Sequence, residues 1–215
     1  MNYRIVLIGP QGSGKGTQAE LLSIHLGIPT ITMGEILREA AKGDTEQARV
    51  LDQSLRAGEL VPHEITIGFL KERLKKEDTK SGFILDGFPR AAQQQLALDE
   101  FAPPTHVIRL EISDDLAVER LVGRLVCPKC NQIYHEKWNP PKQSGVCDKC
   151  GAPLVHRSDD TPEAIKERLY IYRHETEPML DGYATKGVLY RIDASGAIPQ
   201  VHARILEAIG QPLKA

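Results

Sequence analysis

Short apolar runs alternate with stretches of helical spacing along this chain, and the alternation sets out most of its elements. Residues 3–9 are almost continuously apolar, as a buried central strand of a parallel sheet would be. After a glycine-rich stretch, Ala19, Leu21, Leu22 and Leu26 fall at helical spacing within residues 17–26, and Gly27 supplies the stop. Residues 28–32 predict a short strand and 34–42 a helix. Gly43-Asp44 breaks that helix before a second over 45–57, which Gly58 closes. Pro62 sits near the start of another helix reaching about residue 76. Residues 82–85 form a further apolar strand ending at Asp86, 91–100 a helix punctuated by Pro103-Pro104, and 106–112 the next strand. Ser113 is placed to cap a helix over 114–123.

Residues 124–160 break this rhythm. They are rich in Pro, Gly and Lys and read as a separate insert. Thr161-Pro162 then gives a helix start, with a capping hydroxyl and a proline in the first turn. That helix runs to about residue 182, with Pro178 bending or shortening it, before a last strand over 188–193 and a closing helix over 199–210. Strands alternating with helices predict an α/β fold whose parallel sheet is covered by helices on both faces. A length of 215 residues suits one large or two small domains, and 41% apolar and 26% charged residues are ordinary for a globular chain. With a formal net charge of −2, no global basic field points to nucleic acid or to an anionic membrane. No run approaches the ~20 apolar residues of a membrane span, and the opening apolar run is too short for a signal segment. The expected setting is the cytoplasm.

The chemistry starts at Gly9-Pro10-Gln11-Gly12-Ser13-Gly14-Lys15-Gly16-Thr17, between the first strand and the first helix. Such a glycine loop turns backbone N–H groups onto phosphate oxygens, the helix N-terminus adds favourable dipole charge, and Lys15 brings a mobile cation. Gly16 stands where a magnesium-binding hydroxyl is usual after the lysine, so that hydroxyl is missing or shifted to Thr17. Asp86, at the end of its strand, is placed to hold Mg²⁺ through water beside this loop.

Cys127-Pro128-Lys129-Cys130 and Cys147-Asp148-Lys149-Cys150, with sixteen residues between them, have the spacing of two facing knuckles that offer four thiolates to one zinc. Four cysteines make a closed, structural site, and Zn²⁺ would stiffen an insert too small to hold an apolar core of its own. His135 reads as a surface residue of a small hairpin.

Asp86-Gly87-Phe88-Pro89-Arg90 with Gln94 resembles the signature of the adenylate kinase family. So do Met33 to Arg38, Arg120 to Arg124, Asn139 to Lys142, Arg157-Ser158-Asp159-Asp160 and Arg168, spread over nearly the whole chain. The form it is most similar to is the long-lid, zinc-containing bacterial one. The resemblance implies a P-loop nucleotide-kinase fold with a core of residues 1–31, 62–123 and 161–215, a helical NMP-binding segment over 32–61, and a zinc-bearing lid over 124–160. It implies reversible phosphoryl transfer from MgATP to AMP, giving two ADP, by a monomer with small-molecule substrates and no nucleic-acid or membrane partner. Lys15, Arg90, Arg124, Arg157 and Arg168 would be catalytic. ATP would meet Gly12, Ser13, Gly14, Lys15, Gly16, Thr17, Arg120, Arg124, Ile133 and Tyr134. AMP would meet Met33, Arg38, Glu59, Leu60, Val61, Gly87, Phe88, Pro89, Arg90, Gln94, Arg157 and Arg168.

Some of these roles stay open at the level of sequence. Arg124 can lie over the adenine face, since a guanidinium stacks well on aromatic planes. Tyr134 covers the ribose or base, or else packs within the hairpin. Met33 stands where the family commonly places a threonine that contacts AMP. It packs against the base or fills a gap between helix and core. Gln94 offers an amide donor and acceptor to adenine's N1 and N6 edge. Asp159 and Asp160 pair with arginines or serve as helix-start acids. Rival readings are a related kinase with GTP as donor or UMP as acceptor, and a zinc-ribbon nucleic-acid-binding ATPase. An aromatic content of 5% and the near-neutral charge argue against the latter.

Overall fold

The computed structural model describes residues 2–157 and 159–211, so Ser158 of the motif above lies outside the described residues. Five strands form one sheet in the order β2-β3-β1-β4-β7, with β1 at Tyr3–Ile8, β2 at Thr30–Thr32, β3 at Gly82–Asp86, β4 at His106–Glu111 and β7 at Leu189–Asp193. Every pairing within it is parallel. Ile5 lies opposite Ile84 on one side and His106 on the other, Ile31 opposite Leu85, and Ile108 opposite Tyr190.

The apolar run of β1 splits by the two-residue period of a strand. Ile5 and Leu7 join Leu22, Ile84, Ile108 and Ile205 on the face covered by α1 (Lys15–Leu26) and α9 (Ile198–Ala208). Val6 and Ile8 join Leu70, Leu85, Leu98, Leu180 and Tyr183 on the face covered by α4 (His63–Leu74), α5 (Ala92–Phe101) and α8 (Glu177–Thr185). Fully burying each such aliphatic side chain contributes about 1.5–3 kcal/mol, so this double-sided core dominates the favourable side of folding.

Helix starts follow the capping residues. Thr45, Ser113 and Thr161 each accept a backbone N–H three residues on, at 3.1, 3.3 and 3.2 Å, ahead of α3 (Glu46–Ala57), α6 (Asp114–Val122) and α7 (Pro162–Ile171). Pro178 acts differently from expectation. The chain stays helical to Thr185, but Tyr172–Thr176 widens into a π turn ahead of the proline. Pro178 has no N–H for the His174 carbonyl and its ring would crowd it, and the wider turn absorbs that mismatch without ending the helix. Ion pairs tie this region down on both sides, since Arg173 of the turn reaches Asp114 of α6 at 2.6 Å and Glu177, just after it, meets Arg109 of β4.

Two appendages flank the sheet. The helices α2 (Met33–Ala40) and α3 form a small separate core of Leu37, Leu51 and Val61. Residues 124–157 form the other, built on the antiparallel hairpin of β5 (Arg124–Val126) and β6 (Ile133–His135). His135 is half-buried at its end, and its ring lies 4.2 Å from that of Trp138 and against Gly123, so it packs where the insert joins the core and is not a free surface residue. Among the described residues no helix is long and apolar enough to cross a membrane.

Helix α3 meets α7 through Gly58. This glycine has φ 80°, and a Cβ there would fall 2.6 Å from the Ala164 carbonyl oxygen. Gly27 has φ 69° with nothing within 4 Å of a Cβ. Gly27→Ala therefore meets only the left-handed backbone penalty of roughly 1 kcal/mol, whereas Gly58→Ala also forces two helices apart. Thermal denaturation should show a midpoint loss for Gly58→Ala at least twice that for Gly27→Ala. Equal losses would show that the approach to Ala164 is not what the glycine provides.

Candidate active site

The C-terminal ends of β1, β2 and β3 and the segment just beyond β7 open into one cleft of about 990 Å³, closed above by residues 124–157 and at the side by α2 and α3. Ligand crevices in open parallel sheets lie at such strand ends. Directly after β1, the glycine loop wraps the start of α1. Gly12 sits at φ 84°, and a Cβ on it would be 2.5 Å from the Ala117 carbonyl oxygen, so only glycine lets the loop lie flat against α6. Lys15 curls back over this loop, its Nζ donating to the carbonyls of Gly9 at 2.8 Å and Pro10 at 2.9 Å. Burial pushes its ammonium down to about 8, against the favourable pull of Asp86 and helped by Arg90 and Arg124. Asp86 is buried at the end of β3, and its Oδ2 lies 3.6 Å from where a Gly16 Cβ would be.

Arginines converge on the other wall. Arg124 holds Asp160 with two guanidinium nitrogens, at 2.9 Å through Nε and 2.5 Å through an Nη. Arg168 reaches Asp159 at 2.8 Å, Asp160 at 3.1 Å and the Leu55 carbonyl at 3.2 Å. Arg157 meets Asp159 at 3.2 Å, and Arg38 lies 3.8 Å from the same carboxylate. Arg90 donates Nε–H to the Gly87 carbonyl at 2.9 Å, while its own backbone is fixed by Gln94 and Thr176. Asp159 and Asp160 thus pair with arginines. Two carboxylates cannot neutralise so many cations. Burial, followed by neighbouring guanidinium groups, brings Arg38 down to about 10 and lowers Arg90 and Arg124 as well. A buried, under-neutralised positive cluster beside a glycine loop is built to receive multiply charged anions.

The cleft brings together Gly12, Ser13, Gly14, Lys15, Gly16, Thr17, Arg38, Glu59, Leu60, Val61, Asp86, Gly87, Pro89, Arg90, Gln94, Arg120, Arg124, Ile133, Tyr134, Arg157 and Arg168. Two expected members are absent from its wall. Met33 and Phe88 are buried among Ile31, Leu85 and Leu98 in the sheet core, because the first residue of α2 and the residue after Gly87 turn inward. The Met33 side chain fills the gap between helix and core. Tyr134 lines the cleft, but its hydroxyl is turned to the cysteines, accepting the Asp148 N–H at 2.8 Å and lying 3.6 Å from Cys147 Sγ. Gln94 Oε1 accepts the Arg90 N–H at 2.8 Å and its amide nitrogen lies 3.2 Å from His63 Nδ1, which leaves one lone pair and one hydrogen for a ligand.

Arg124 is held by Asp160, so the planar cation open to an aromatic ring is Arg120. It donates to the carbonyls of Ala194 at 3.0 Å and Ser195 at 3.3 Å and lies 5.6 Å from the Trp138 ring centre. Sequence reasoning missed the segment 194–198 that supplies this wall, although its place just beyond the end of β7 was the available signal. It also missed Glu35, which lines the cleft and whose carboxyl is held above the usual carboxylate range by burial.

The four cysteine sulfurs lie within 4.8 Å of one another, with Cys127–Cys150 at 3.4 Å and Cys130–Cys147 at 3.6 Å. A tetrahedron with metal–sulfur bonds of about 2.3 Å has edges of about 3.8 Å, so the cluster has the size of a four-thiolate site. Both knuckles are built alike. The Cys127 and Cys147 carbonyls accept N–H bonds from Asn131 and Gly151, each at 2.9 Å, and both acceptor turns end in left-handed residues, at φ 59° and 72°.

A family model described as adenylate kinase matches residues 7–188. An adenylate kinase of Moorella thermoacetica is 44% identical over 213 residues, covering 97% of this chain and 98% of the relative. One from Acidothermus cellulolyticus is 42% identical over 211 residues, covering 96% and 97%. One from Clostridium perfringens strain 13 is 40% identical over 215 residues, covering 98% and 99%. On this likeness, spanning both the glycine loop and the arginine-lined cleft, the chain belongs to the adenylate kinase family.

Proposed function

We propose that the chain moves the terminal phosphoryl group of MgATP to AMP, reversibly, giving two ADP, and that residues 32–61 and 124–160 close over a core that holds the donor phosphates. The observation carrying this reading is the convergence of Lys15 with six arginines on one cleft. Neither a different nucleotide pair nor nucleic-acid binding gains support from the relatives.

An AMP phosphate is already an anion at neutral pH and attacks without a general base, so the protein's part is alignment and charge placement. Backbone N–H groups of residues 12–17 and Lys15 hold the donor β and γ phosphates, with Arg120 beside the donor base. Arg38 and Arg90 hold the acceptor phosphate, Gln94 meets the acceptor base, and residues 59–61, Gly87 and Pro89 complete that pocket. Arg124, Arg157 and Arg168 surround the migrating group. Before substrates arrive, Asp159 and Asp160 keep these guanidinium groups in place, and incoming phosphates then compete for them. Asp86, through water, and the Thr17 hydroxyl would hold the Mg²⁺ that accompanies ATP, whose charge would offset that of the donor phosphates. Cys127, Cys130, Cys147 and Cys150 hold zinc, which makes residues 124–157 move as one body. Reduced thiols at metal-binding spacing suit a cytoplasmic enzyme.

Arg90→Ala should lower kcat/KM on the order of 10³-fold. Its thermal midpoint should stay near wild type, because Arg90 makes no carboxylate pair within hydrogen-bond distance. A coupled assay with calorimetry checks both, and near-normal turnover would remove Arg90 from the phosphate site. Lys15 is lowered by burial, so its charge is present below about pH 8 and lost above it. The kcat/KM for ATP should therefore fall as pH rises through 8, and a flat profile to pH 9.5 would contradict that assignment. Elemental analysis should find one zinc per chain. Stripping it with a chelator should expose residues 124–157 to protease while the core keeps its helical signal, and a chain purified without metal yet equally resistant would refute the zinc role.

A further inference from the structure

Three successive residues at the tip of the insert face two helices of the molecule, α2 and α1. Asn131 lines the cleft with Glu35 of α2, Gln132 donates to Glu20 Oε2 of α1 at 3.2 Å, and Ile133 covers Gly16. A Cβ on Gly16 would lie 3.1 Å from Ile133 Cδ1. Lys149, from the second cysteine knuckle, adds a cation 3.9 Å from the same Glu20 carboxylate. Gly16 and Glu20 are four residues apart on α1 and so lie one above the other on a single face. The tip therefore rests along one stripe of the helix that begins with the lysine loop. Glu20 lies outside the phosphate site and the cysteine cluster, and although the Gln132 carbonyl accepts the Cys127 N–H at 2.9 Å, its side chain faces α1 and not the sulfurs.

We propose that Gly16 and Glu20 form the seat on which the lid closes, and that Glu20 is a positioning residue for phosphoryl transfer. It touches no phosphate. Its hydrogen bond to Gln132 and its attraction to Lys149 set how long the lid stays shut over the donor group. Gly16 gives up the customary metal-binding hydroxyl in exchange for a notch that admits Ile133. While the seat is filled, water is kept from the γ-phosphorus. When it empties early, a water oxygen bonds to that phosphorus as its bond to the ADP oxygen breaks, releasing ADP, inorganic phosphate and a proton. The ratio of hydrolysis to transfer therefore reports on the seat, whereas a residue with only a structural role would leave it unchanged.

The proposal rests on reading residues 124–160 as a lid, and the experiment separates the two. Glu20→Lys, Gln132→Glu and the double variant are assayed for ATP hydrolysis without AMP and for transfer with it, at low and high salt. Exposed pairs of this kind are worth up to about 1 kcal/mol, so each single change should raise the hydrolysis-to-transfer ratio about two- to five-fold. The double variant, which places opposite charges at positions 20 and 132 and so replaces the lost attraction across the contact, should return towards wild type, and the differences should fade near 1 M salt. Unchanged ratios in the single variants, or a double variant equal to their product, would overturn the proposal. Deuterium exchange at residues 131–133 with a non-hydrolysable ATP analogue gives the second arm. Protection in wild type that weakens in Glu20→Lys supports the seat, and equal protection in both refutes it while keeping the lid. No protection in wild type would refute the lid itself.

Discussion

Excess positive charge held out of water is the constraint on which this molecule turns. Arg38, Arg90, Arg124, Arg157 and Arg168 crowd one cleft with only Asp159 and Asp160 in hydrogen-bonding range of most of them. Such a cluster is stable because the two carboxylates are shared, each bridging guanidinium groups that arrive from different parts of the chain. The same sharing keeps the arginines ordered and under-satisfied, which is the state from which a phosphate gains most. Each arginine needs a rigid mount, and the sheet supplies it. The ends of β1 and β3 place the glycine loop and Asp86, while α7, anchored by Thr161 and by Gly58 of the neighbouring helix, places Arg168.

The two appendages are held by different physics. Helices α2 and α3 keep a small apolar core around Leu51, so that segment can hold its shape by burial. The insert has little beyond Tyr134, Leu125 and the cysteines themselves. There, metal-sized geometry replaces apolar volume, and Tyr134 is drawn into the cluster instead of the cleft.

Much of this was legible in the sequence for identifiable reasons. Strand runs, capping residues and glycine stops are local signals, and Ser113, Thr161 and Gly58 act where the pattern places them. The Cys-x-x-Cys pairs carry their chemistry in their spacing. What failed was side-chain direction. Nothing local says that Met33 and Phe88 turn into the sheet while Gly87 and Pro89 line the cleft, since that choice belongs to the packing around Leu85 and Leu98. The partition of the arginines was hidden too. That Arg124 is taken by Asp160, leaving Arg120 beside Trp138, follows from how the insert folds back and from no spacing in the chain. The π turn before Pro178 is a similar case, because a proline signals a disturbance without saying how it will be absorbed.

Trp138 is the only tryptophan in the chain, and it sits where the insert joins the core, against His135 and between the cations of Arg120 and Lys137. Indole emission responds to nearby charge and to wetting, so this molecule carries its own optical gauge of the joint between insert and core. Any rearrangement at that joint is readable in unlabelled protein, without attaching dyes to the thiols of the cysteine cluster.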